Sequence, residues 1–284
     1  MSIEQMGVVG AGQMGAGIAQ VAAQSGIRVT LSDVSEERLQ LGRQTIASSL
    51  GRLVKKEVLT STEADQALAL IWFSANLADH HQNELVVEAV SEVESLKKDV
   101  FAELNTICLD TTILASNTSS ISITRLSSVV NNAERFIGMH FMNPVPMMPL
   151  VEIIRGIGTS DATYLAVAEL AKRMKKTTVV SQDSAGFLVN RLLMPMINEA
   201  FFALMENVGS AADIDLSMKL GTNHPLGPLE LADLIGLDTC LAVIEVLHRE
   251  LGEDKYRPCP LLRKHVEAGW LGRKSGRGVF QYSD

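Results

Sequence analysis

The sequence predicts an α/β domain with a mostly parallel sheet, followed by a smaller all-helical domain. Over roughly the first 183 residues, short apolar runs alternate with helical patterns, which is typical of parallel strands joined by crossover helices. These runs are continuously apolar, as expected for strands covered on both faces. Beyond Asp183 only helical patterns follow, separated by glycine and proline. The predicted domains are therefore residues 1–183 and residues 184–284.

Seven strands are predicted in the first domain from their apolar runs: 6–9, 27–31, 85–90, 112–115, 136–139, 151–154 and 178–181. The helices predicted between them are 13–25, 36–56, 94–107 and 162–174. Gly26 is expected to end the first helix. The helices predicted in the second domain are 187–207, 211–220, 228–234, 238–251 and 260–268. Pro195 lies inside the first of these, and a kink or a later start is expected there.

Composition excludes several classes of protein. Hydrophobic residues make up 46% and charged residues 20% of 284 residues, so the chain is neither disordered nor collagen-like. The net charge of −8 argues against a nucleic-acid partner. No apolar run approaches the roughly 18 residues of a membrane span, and no leader peptide is expected. Three widely spaced cysteines form neither a disulfide framework nor a metal site, and they indicate a reducing, cytoplasmic location.

A glycine-rich motif follows the first predicted strand. Gly10, Gly12 and Gly15 fit the pattern G-x-G-x-x-G, with a strand before it and a helix after it. In a Rossmann-type fold the first glycine permits a tight turn, the second admits a pyrophosphate, and the third allows close helix packing. The helix N-terminus then provides N–H groups for the anion. The motif predicts a dinucleotide site.

Asp33 indicates which dinucleotide binds. It ends the second predicted strand, 18 residues after Gly15, where a carboxylate accepts hydrogen bonds from the adenosine ribose. A carboxylate there repels a 2′-phosphate, so NAD is favoured over NADP. The alternative is a structural glycine turn with Asp33 as a helix cap.

Polar residues follow two later strands. Ser119 and His140 both lie at predicted carboxyl ends, where ligands of open parallel sheets bind. Each has a structural alternative, since Ser119 also suits a helix cap and a single histidine at a strand end is often structural.

Several further motifs occur in one order along the chain. They are SNTSS at 116–120, HFMNPVP at 140–146, LVE at 150–152, FLVNR at 187–191, KLG at 219–221, HPLGP at 224–228 and GRKSG at 272–276. With the glycine motif, they make the whole chain resemble the 3-hydroxyacyl-CoA dehydrogenase family, in particular its short bacterial 3-hydroxybutyryl-CoA members. The resemblance implies the catalytic residues Ser119, His140, Glu152 and Asn190.

The chemistry of these four residues agrees with that family. Oxidation of a secondary alcohol by hydride transfer needs a base near neutral pH, and histidine suits that role. Glu152 is the candidate carboxylate for the other ring nitrogen of His140. Ser119 and Asn190 are expected to hydrogen-bond the reacting oxygen or the thioester carbonyl of the substrate.

A cationic helix end suggests a site for coenzyme A. Ser49, Arg52 and Lys56 have the spacing i, i+3, i+7, which places them on one helical face. The alternative is an ordinary solvated helix end. The family resemblance favours the site, because it implies CoA contacts at Ser49 and Lys56.

The resemblance also implies features that spacing does not provide. NAD contacts are expected at Glu92, Lys97, Ser119, Asn143 and Lys274, and a homodimer is expected through the second domain. The implied activity is an NAD-dependent oxidoreductase of (S)-3-hydroxyacyl-CoA, within fatty acid metabolism.

Two alternatives stay open. One is a dehydrogenase of a free 3-hydroxy acid, which typically uses a catalytic lysine, and the other is a non-catalytic NAD-binding relative. Three departures from the family pattern, Met142, Met148 and Ala185, leave the preferred acyl chain length open.

Overall fold

The structure, a computed structural model, describes residues 3–282. Contacts divide the chain into two compact units, Met1–Ser184 and Ala185–Asp284. The first unit carries a sheet and the second is helical, as the sequence predicts for the fold class. No helix among the described residues is long and apolar enough to cross a membrane.

The first unit is built on one eight-stranded sheet. Its strands are β1 Gln5–Val9, β2 Arg28–Ser32, β3 Ile71–Ser74, β4 Leu85–Glu88, β5 Ile113–Ser116, β6 Phe136–Phe141, β7 Leu150–Arg155 and β8 Thr177–Gln182. Their spatial order is β3-β2-β1-β4-β5-β6-β7-β8. The first six strands have the order of the doubly wound dinucleotide-binding fold. In that fold successive strands are added on one side of β1 and then, starting with β4, on its other side. Ligands of such sheets bind beyond the carboxyl ends of the strands at that point.

In the described part of the first unit, six α-helices accompany this sheet: α1 Gln13–Gln24, α2 Glu36–Lys55, α3 Ser61–Ala69, α4 Glu94–Ile107, α5 Ile123–Leu126 and α6 Asp161–Arg173. Apolar residues of α1, α2, α3 and α6 form one continuous core with one face of the sheet, including Ile18, Ile46 and Val87. The other face is buried as well, and there Phe136 of β6 packs against Phe101 of α4. Burial on both faces explains why the strands are uniformly apolar.

Two elements near the sheet edge were missed in the sequence. The run from Ala67 to Phe73 is continuously apolar, so the end of α3 and the four-residue strand β3 are not separated by a change of periodicity. The signal for α3 lies at its start, where Thr60 caps Glu63 N–H and the Glu63 side chain bonds back to Thr60. This capping box marks the helix, and the short strand that follows then pairs with β2.

One strand pair runs against the rest. β6 and β7 are antiparallel, whereas every other neighbouring pair in the sheet is parallel. Only the eight residues 142–149 lie between β6 and β7. A parallel return needs a crossover of a dozen residues or more, so the short connection forces the antiparallel pairing.

The second unit consists of helices around its own core. They are α7 Val189–Met205, α8 Ala211–Gly221, α9 Pro228–Ile235, α10 Leu237–Leu251 and α11 Pro260–Glu267. α7 begins six residues before Pro195 and continues through it, so the later start is not observed. The tail after α11 is tied to α9, because the Asp233 carboxylate accepts hydrogen bonds from Val279 N, Phe280 N and Tyr282 Oη, each at 2.9 Å.

His80 lies buried beneath the sheet edge that carries the glycine motif. Its Nε2 is 2.7 Å from Ser32 Oγ, and its Nδ1 is 2.9 Å from Asn83 Nδ2. Since the asparagine amide donates to Nδ1, the ring is neutral with its proton on Nε2. Burial lowers the pKa of His80 to about 4, so protonation favours the unfolded chain.

We expect the chain to lose stability between pH 6.5 and about pH 4 because of His80. Above pH 6.5 the residue is neutral in both states and its full contribution is present. As the pH falls, the unfolded chain takes up a proton that the folded chain resists, at a total cost of about 3 kcal/mol. Urea unfolding from pH 7 to 4.5 measures this slope. His80→Gln should flatten it, whereas the same change at exposed His81 should leave it intact; equal slopes in all three proteins would contradict the assignment.

Candidate active site

The glycine loop between β1 and α1 has open space next to Gly12, and a side chain at that position would fill it. A Cβ on Gly15 would lie 1.7 Å from Gly10 O, so the helix approaches the loop too closely for any other residue. A Cβ on Gly12 would meet no protein atom within 4 Å, and φ at Gly12 is an ordinary −70°. Neither the backbone nor the packing therefore requires glycine at position 12, and the open space fits a pyrophosphate.

The start of α1 is prepared for an anion. Gly12 is the N-cap, and within the described residues no side chain caps the helix and no acidic residue lies in its first turn. The first N–H groups of a helix lack intrahelical partners and carry its positive end. This helix start can therefore bind phosphate through backbone N–H groups.

Asp33 connects the end of β2 to the glycine loop. Its Oδ2 accepts a hydrogen bond from Ala11 N at 2.9 Å and its Oδ1 one from Ser35 N at 3.3 Å. The carboxylate thus both braces the loop and begins the turn toward α2. It lies at the position where this fold holds the ribose of NAD, so the residues present fit that cofactor.

His140 and Glu152 form a buried pair across β6 and β7. The two residues are directly opposite in the antiparallel register, and directly opposite side chains share a face of the sheet. His140 Nδ1 lies 2.7 Å from Glu152 Oε2, and Glu152 is fully buried while His140 is 7% exposed. The carboxylate fixes the ring proton on Nδ1, which makes Nε2 the nitrogen that can take up a proton.

Asn117 ties the strand that precedes Ser119 to the strand that carries His140. Its backbone N–H donates to Glu88 O at 2.8 Å. Its side-chain Oδ1 accepts from Phe141 N at 2.9 Å. The carboxyl ends of β4, β5 and β6 are therefore held in register next to His140.

Glu92 organises the loop that contains Ser119. Its Oε1 accepts from Thr118 Oγ1 at 2.6 Å, Ser119 N at 2.8 Å, Ser119 Oγ at 3.1 Å and Ser120 N at 3.2 Å. Burial by itself would raise the pKa of Glu92, but Lys97 and these donors together lower it below its ordinary value. The carboxylate is therefore ionised and sets the conformation of the loop.

Lys97 lies between two carboxylates. Its Nζ is 2.7 Å from Glu88 Oε1 and 3.2 Å from Glu92 Oε2, and the side chain is 1% exposed. Glu88 also accepts from Val90 N at 2.7 Å and from Ser116 Oγ at 2.6 Å. Burial raises the pKa of Glu88, opposed by Lys97. The structure places the Lys97 ammonium in this buried ion cluster, and its contact with NAD stays a prediction.

The remaining predicted residues are distributed over both units. Asn143 Oδ1 accepts from Gln13 Nε2, in the first turn of α1, at 3.0 Å. In the second unit, Asn190 lies in the first turn of α7. In the tail of the same unit, Lys274 Nζ contacts both carboxylate oxygens of Asp238, at 2.6 and 2.7 Å.

The predicted CoA face lies at the carboxyl end of α2. Ser49 is half-buried, whereas Arg52 and Lys56 are exposed. Lys56 is the C-cap of α2, and its N–H donates to Arg52 O. The helix thus ends in exposed cations, which its dipole favours.

Comparison with known proteins shows the family of the chain. Residues 5–184 match the NAD binding domain of 3-hydroxyacyl-CoA dehydrogenase, and residues 186–282 match the C-terminal domain of the same enzyme. The chain belongs to the 3-hydroxyacyl-CoA dehydrogenase family. It is 54% identical over 280 residues to the 3-hydroxybutyryl-CoA dehydrogenase of Bradyrhizobium diazoefficiens, covering 99% of this chain and 96% of that protein.

Two further relatives are similar over their whole length. A probable 3-hydroxybutyryl-CoA dehydrogenase of Bacillus subtilis is 51% identical over 284 residues, covering 100% of this chain and 99% of that protein. The crystal structure of an (S)-3-hydroxybutyryl-CoA dehydrogenase from Ralstonia eutropha superposes with a TM-score of 0.97 at 53% identity, covering 100% of both chains. The predicted family and fold class are thus confirmed.

Sequence reasoning missed two residues of this site. Glu88 is a charged residue at the end of an apolar strand, and such a residue needs a buried partner. Its spacing to Lys97 does not identify that partner, because the two lie on different elements. Asn117 has no assigned role in the SNTSS motif, whereas its side chain accepts a hydrogen bond from a neighbouring strand.

Asp33→Asn tests the role of charge in choosing the cofactor. Asparagine keeps an acceptor for Ala11 N–H but removes the negative charge that opposes a 2′-phosphate. We expect the preference for NADH over NADPH to fall by roughly tenfold or more, which corresponds to about 1.4 kcal/mol. Fluorescence titration with both cofactors measures it, with exposed Asp65→Asn as the control. An unchanged preference in Asp33→Asn would remove Asp33 from cofactor selection.

Proposed function

We propose that this chain catalyses the reversible NAD-dependent oxidation of (S)-3-hydroxyacyl-CoA to 3-oxoacyl-CoA, with short acyl chains such as 3-hydroxybutyryl and acetoacetyl. The observation that carries the proposal is the His140–Glu152 pair, with 2.7 Å between Nδ1 and Oε2. It lies at the sheet edge that also carries the glycine loop. The names of the similar proteins support the substrate class.

His140 is the general base in this mechanism. NAD⁺ supplies the hydride acceptor when it is bound. His140 Nε2 takes the proton of the C3 hydroxyl as the C3–O bond becomes a carbonyl, and Glu152 stabilises the imidazolium that results. In the reverse direction the same imidazolium returns its proton to the carbonyl oxygen.

Ser119 and Asn190 complete the proposed set of catalytic residues. The Ser119 hydroxyl donates to Glu92 Oε1. It can bond the reacting oxygen instead if Glu92 keeps enough other hydrogen-bond donors. Glu92 Oε1 keeps Thr118 Oγ1, Ser119 N and Ser120 N when the Ser119 hydroxyl turns away. The Ser119 hydroxyl can therefore turn toward a substrate without leaving Glu92 unsatisfied. For Asn190, the family motif at 187–191 supports the role.

His140→Gln and Glu152→Gln test the base and its carboxylate. Glutamine at 140 keeps a polar end but cannot take a proton near pH 7, so kcat should fall by roughly 10²–10⁴ while NADH affinity stays near wild type. Glu152→Gln should also lower kcat, because it removes the charge that stabilises the imidazolium. Since both changes disable one base, the double variant should be far less impaired than the product of the single effects.

The double-mutant cycle decides between two interpretations. Fully multiplicative losses would show that His140 and Glu152 act independently. Turnover near wild type in His140→Gln, with NADH still bound, would exclude His140 as the base and would leave the chain as a dehydrogenase of a different mechanism.

Ser49, Arg52 and Lys56 are the proposed CoA contacts. A phosphate contact far from C3 is made equally in the ground state and the transition state, so its loss raises KM rather than lowering kcat. The exposed cations at the end of α2 support this assignment. Ser119 and Asn190 are proposed to bind the acyl part of the same substrate.

We expect NADH oxidation with acetoacetyl-CoA and none with free acetoacetate. Lys56→Met should raise KM for acetoacetyl-CoA by roughly three- to tenfold at low salt, a difference that shrinks as salt screens the wild-type contact. Lys55→Met is the matched control, since it removes the same charge from the neighbouring position. Equal activity with free acetoacetate would favour the free hydroxy-acid reaction, and no turnover of either would favour a non-catalytic relative. An unchanged KM in Lys56→Met would remove only that residue from the site.

Three further proposals accompany the activity. A homodimer through the second unit is supported by exposed apolar residues on and beside α7 and α8, including Leu192, Val208 and Leu220, each more than 70% exposed. A cytoplasmic location is supported by the three free cysteines, Cys108, Cys240 and Cys259. A place in fatty acid metabolism follows from the acyl-CoA substrate class.

A further inference from the structure

The loop between β6 and β7 is bound by a single cation from another part of the sheet. Lys176 Nζ donates to Val145 O at 2.6 Å and to Met148 O at 2.8 Å. Residues 142–149 make up this loop, which connects the strand of His140 to the strand of Glu152. The two carbonyl groups converge on one ammonium, and hydrogen bonds from charged donors are roughly twice as strong as neutral ones.

The Lys176 side chain starts from a fixed backbone. At the end of α6, Lys175 adopts φ 57°, and Lys176 N–H donates to Ala171 O at 2.9 Å. The next residue enters β8 beside the loop, since Thr177 N–H donates to Pro149 O at 2.8 Å. Burial lowers the pKa of Lys176, in keeping with an ammonium whose water has been replaced by carbonyl oxygens.

The opposite side of the same loop rests on α1. Val145 is 2% exposed and fits against Gly17, where a Cβ would lie 2.8 Å from Val145 Cβ. Asn143 is joined to Gln13, in the first turn of α1, at 3.0 Å. The loop is therefore held between the helix that follows the glycine motif and the turn that contains Lys176.

We propose that Lys176 is a positioning residue for the NAD-dependent reaction. By fixing the carbonyl groups of Val145 and Met148, it holds the loop against α1 and so places Asn143 in the cofactor site. Lys176 does not act on the proton-transfer pair, because His140 and Glu152 are fixed by strand pairing on either side of the loop. The inference rests on the proposed function, in which Asn143 contacts NAD.

Lys176→Met keeps the length of the side chain and removes its ammonium. We expect Kd and KM for NADH to rise roughly 5- to 20-fold, because two charge-assisted hydrogen bonds are lost, with a smaller loss in kcat. The pH dependence of kcat should keep its wild-type inflections. Lys176→Arg should recover most of the NADH affinity, and Lys176→Gln, whose amide can donate but is shorter and uncharged, should fall between. Lys172→Met is the control, since it removes an exposed lysine from the same helix end.

A purely structural role for Lys176 predicts a different result. The melting temperature would then fall in Lys176→Met while NADH affinity at 25 °C stayed at the wild-type value, and this outcome would overturn the proposal. Should Lys176→Met fail to fold, the Gln and Arg variants provide the same comparison. Failure of the proposed function is seen separately, as turnover that survives His140→Gln, and it leaves the NADH titrations of the Lys176 variants interpretable.

Discussion

The antiparallel pairing of β6 with β7 is the constraint on which the candidate site depends. In an all-parallel sheet the chain would leave β6 through a crossover helix, and a residue 12 positions after His140 would lie far from it. The eight-residue connection instead returns the chain at once, so Glu152 lies directly opposite His140. Both residues belong to strands that are hydrogen-bonded on either side. The pair is therefore as rigid as the sheet, and the features around it act on strand ends or on the connecting loop.

The ion cluster of Glu88, Lys97 and Glu92 orients the site rather than stabilising the fold. The buried Glu88 and the partly exposed Glu92 share the buried Lys97 ammonium, and removing charges such as those of Glu88 and Lys97 from water costs several kcal/mol per ion. Apolar residues of similar volume would often make a more stable core. What the cluster provides is an ionised acceptor with a fixed position beneath the 118–120 loop, and this acceptor holds the backbone around Ser119. The cost is thus explained by the loop conformation that it imposes.

The sequence predicted those parts of the site that depend on residues close together along the chain. The glycine loop, Asp33 and the strand end at His140 each follow from a local pattern of a few residues, and all of them lie at the carboxyl edge where they were expected.

Contacts between residues on different secondary-structure elements were not predicted from such local patterns. The resemblance implied an NAD contact for Lys97, and no pattern drew attention to Lys176, whereas the fold shows that each ammonium is bound by acceptors of another segment. The strand β3 was missed because four apolar residues next to an apolar helix end have no distinguishing period. The pairing of β6 with β7 was readable from the short connection between them, but it was not inferred.

The acidic character of the dinucleotide edge has to be reconciled with an anionic cofactor. Four carboxylates lie there, but each already has donors: Asp33 has Ala11 N–H, Glu88 and Glu92 share Lys97, and Glu152 has His140. These donors satisfy carboxylate oxygens, and among them Lys97 carries a positive charge, so the pyrophosphate site does not rely on the cation of this cluster. It uses the N–H groups at the start of α1, whose first turn contains no acidic residue. Asp33 differs from the other three, because its described partners are backbone N–H groups and no cation neutralises it among them. It therefore keeps a net negative charge beside the ribose position, where that charge tolerates hydroxyl groups and opposes a second phosphate.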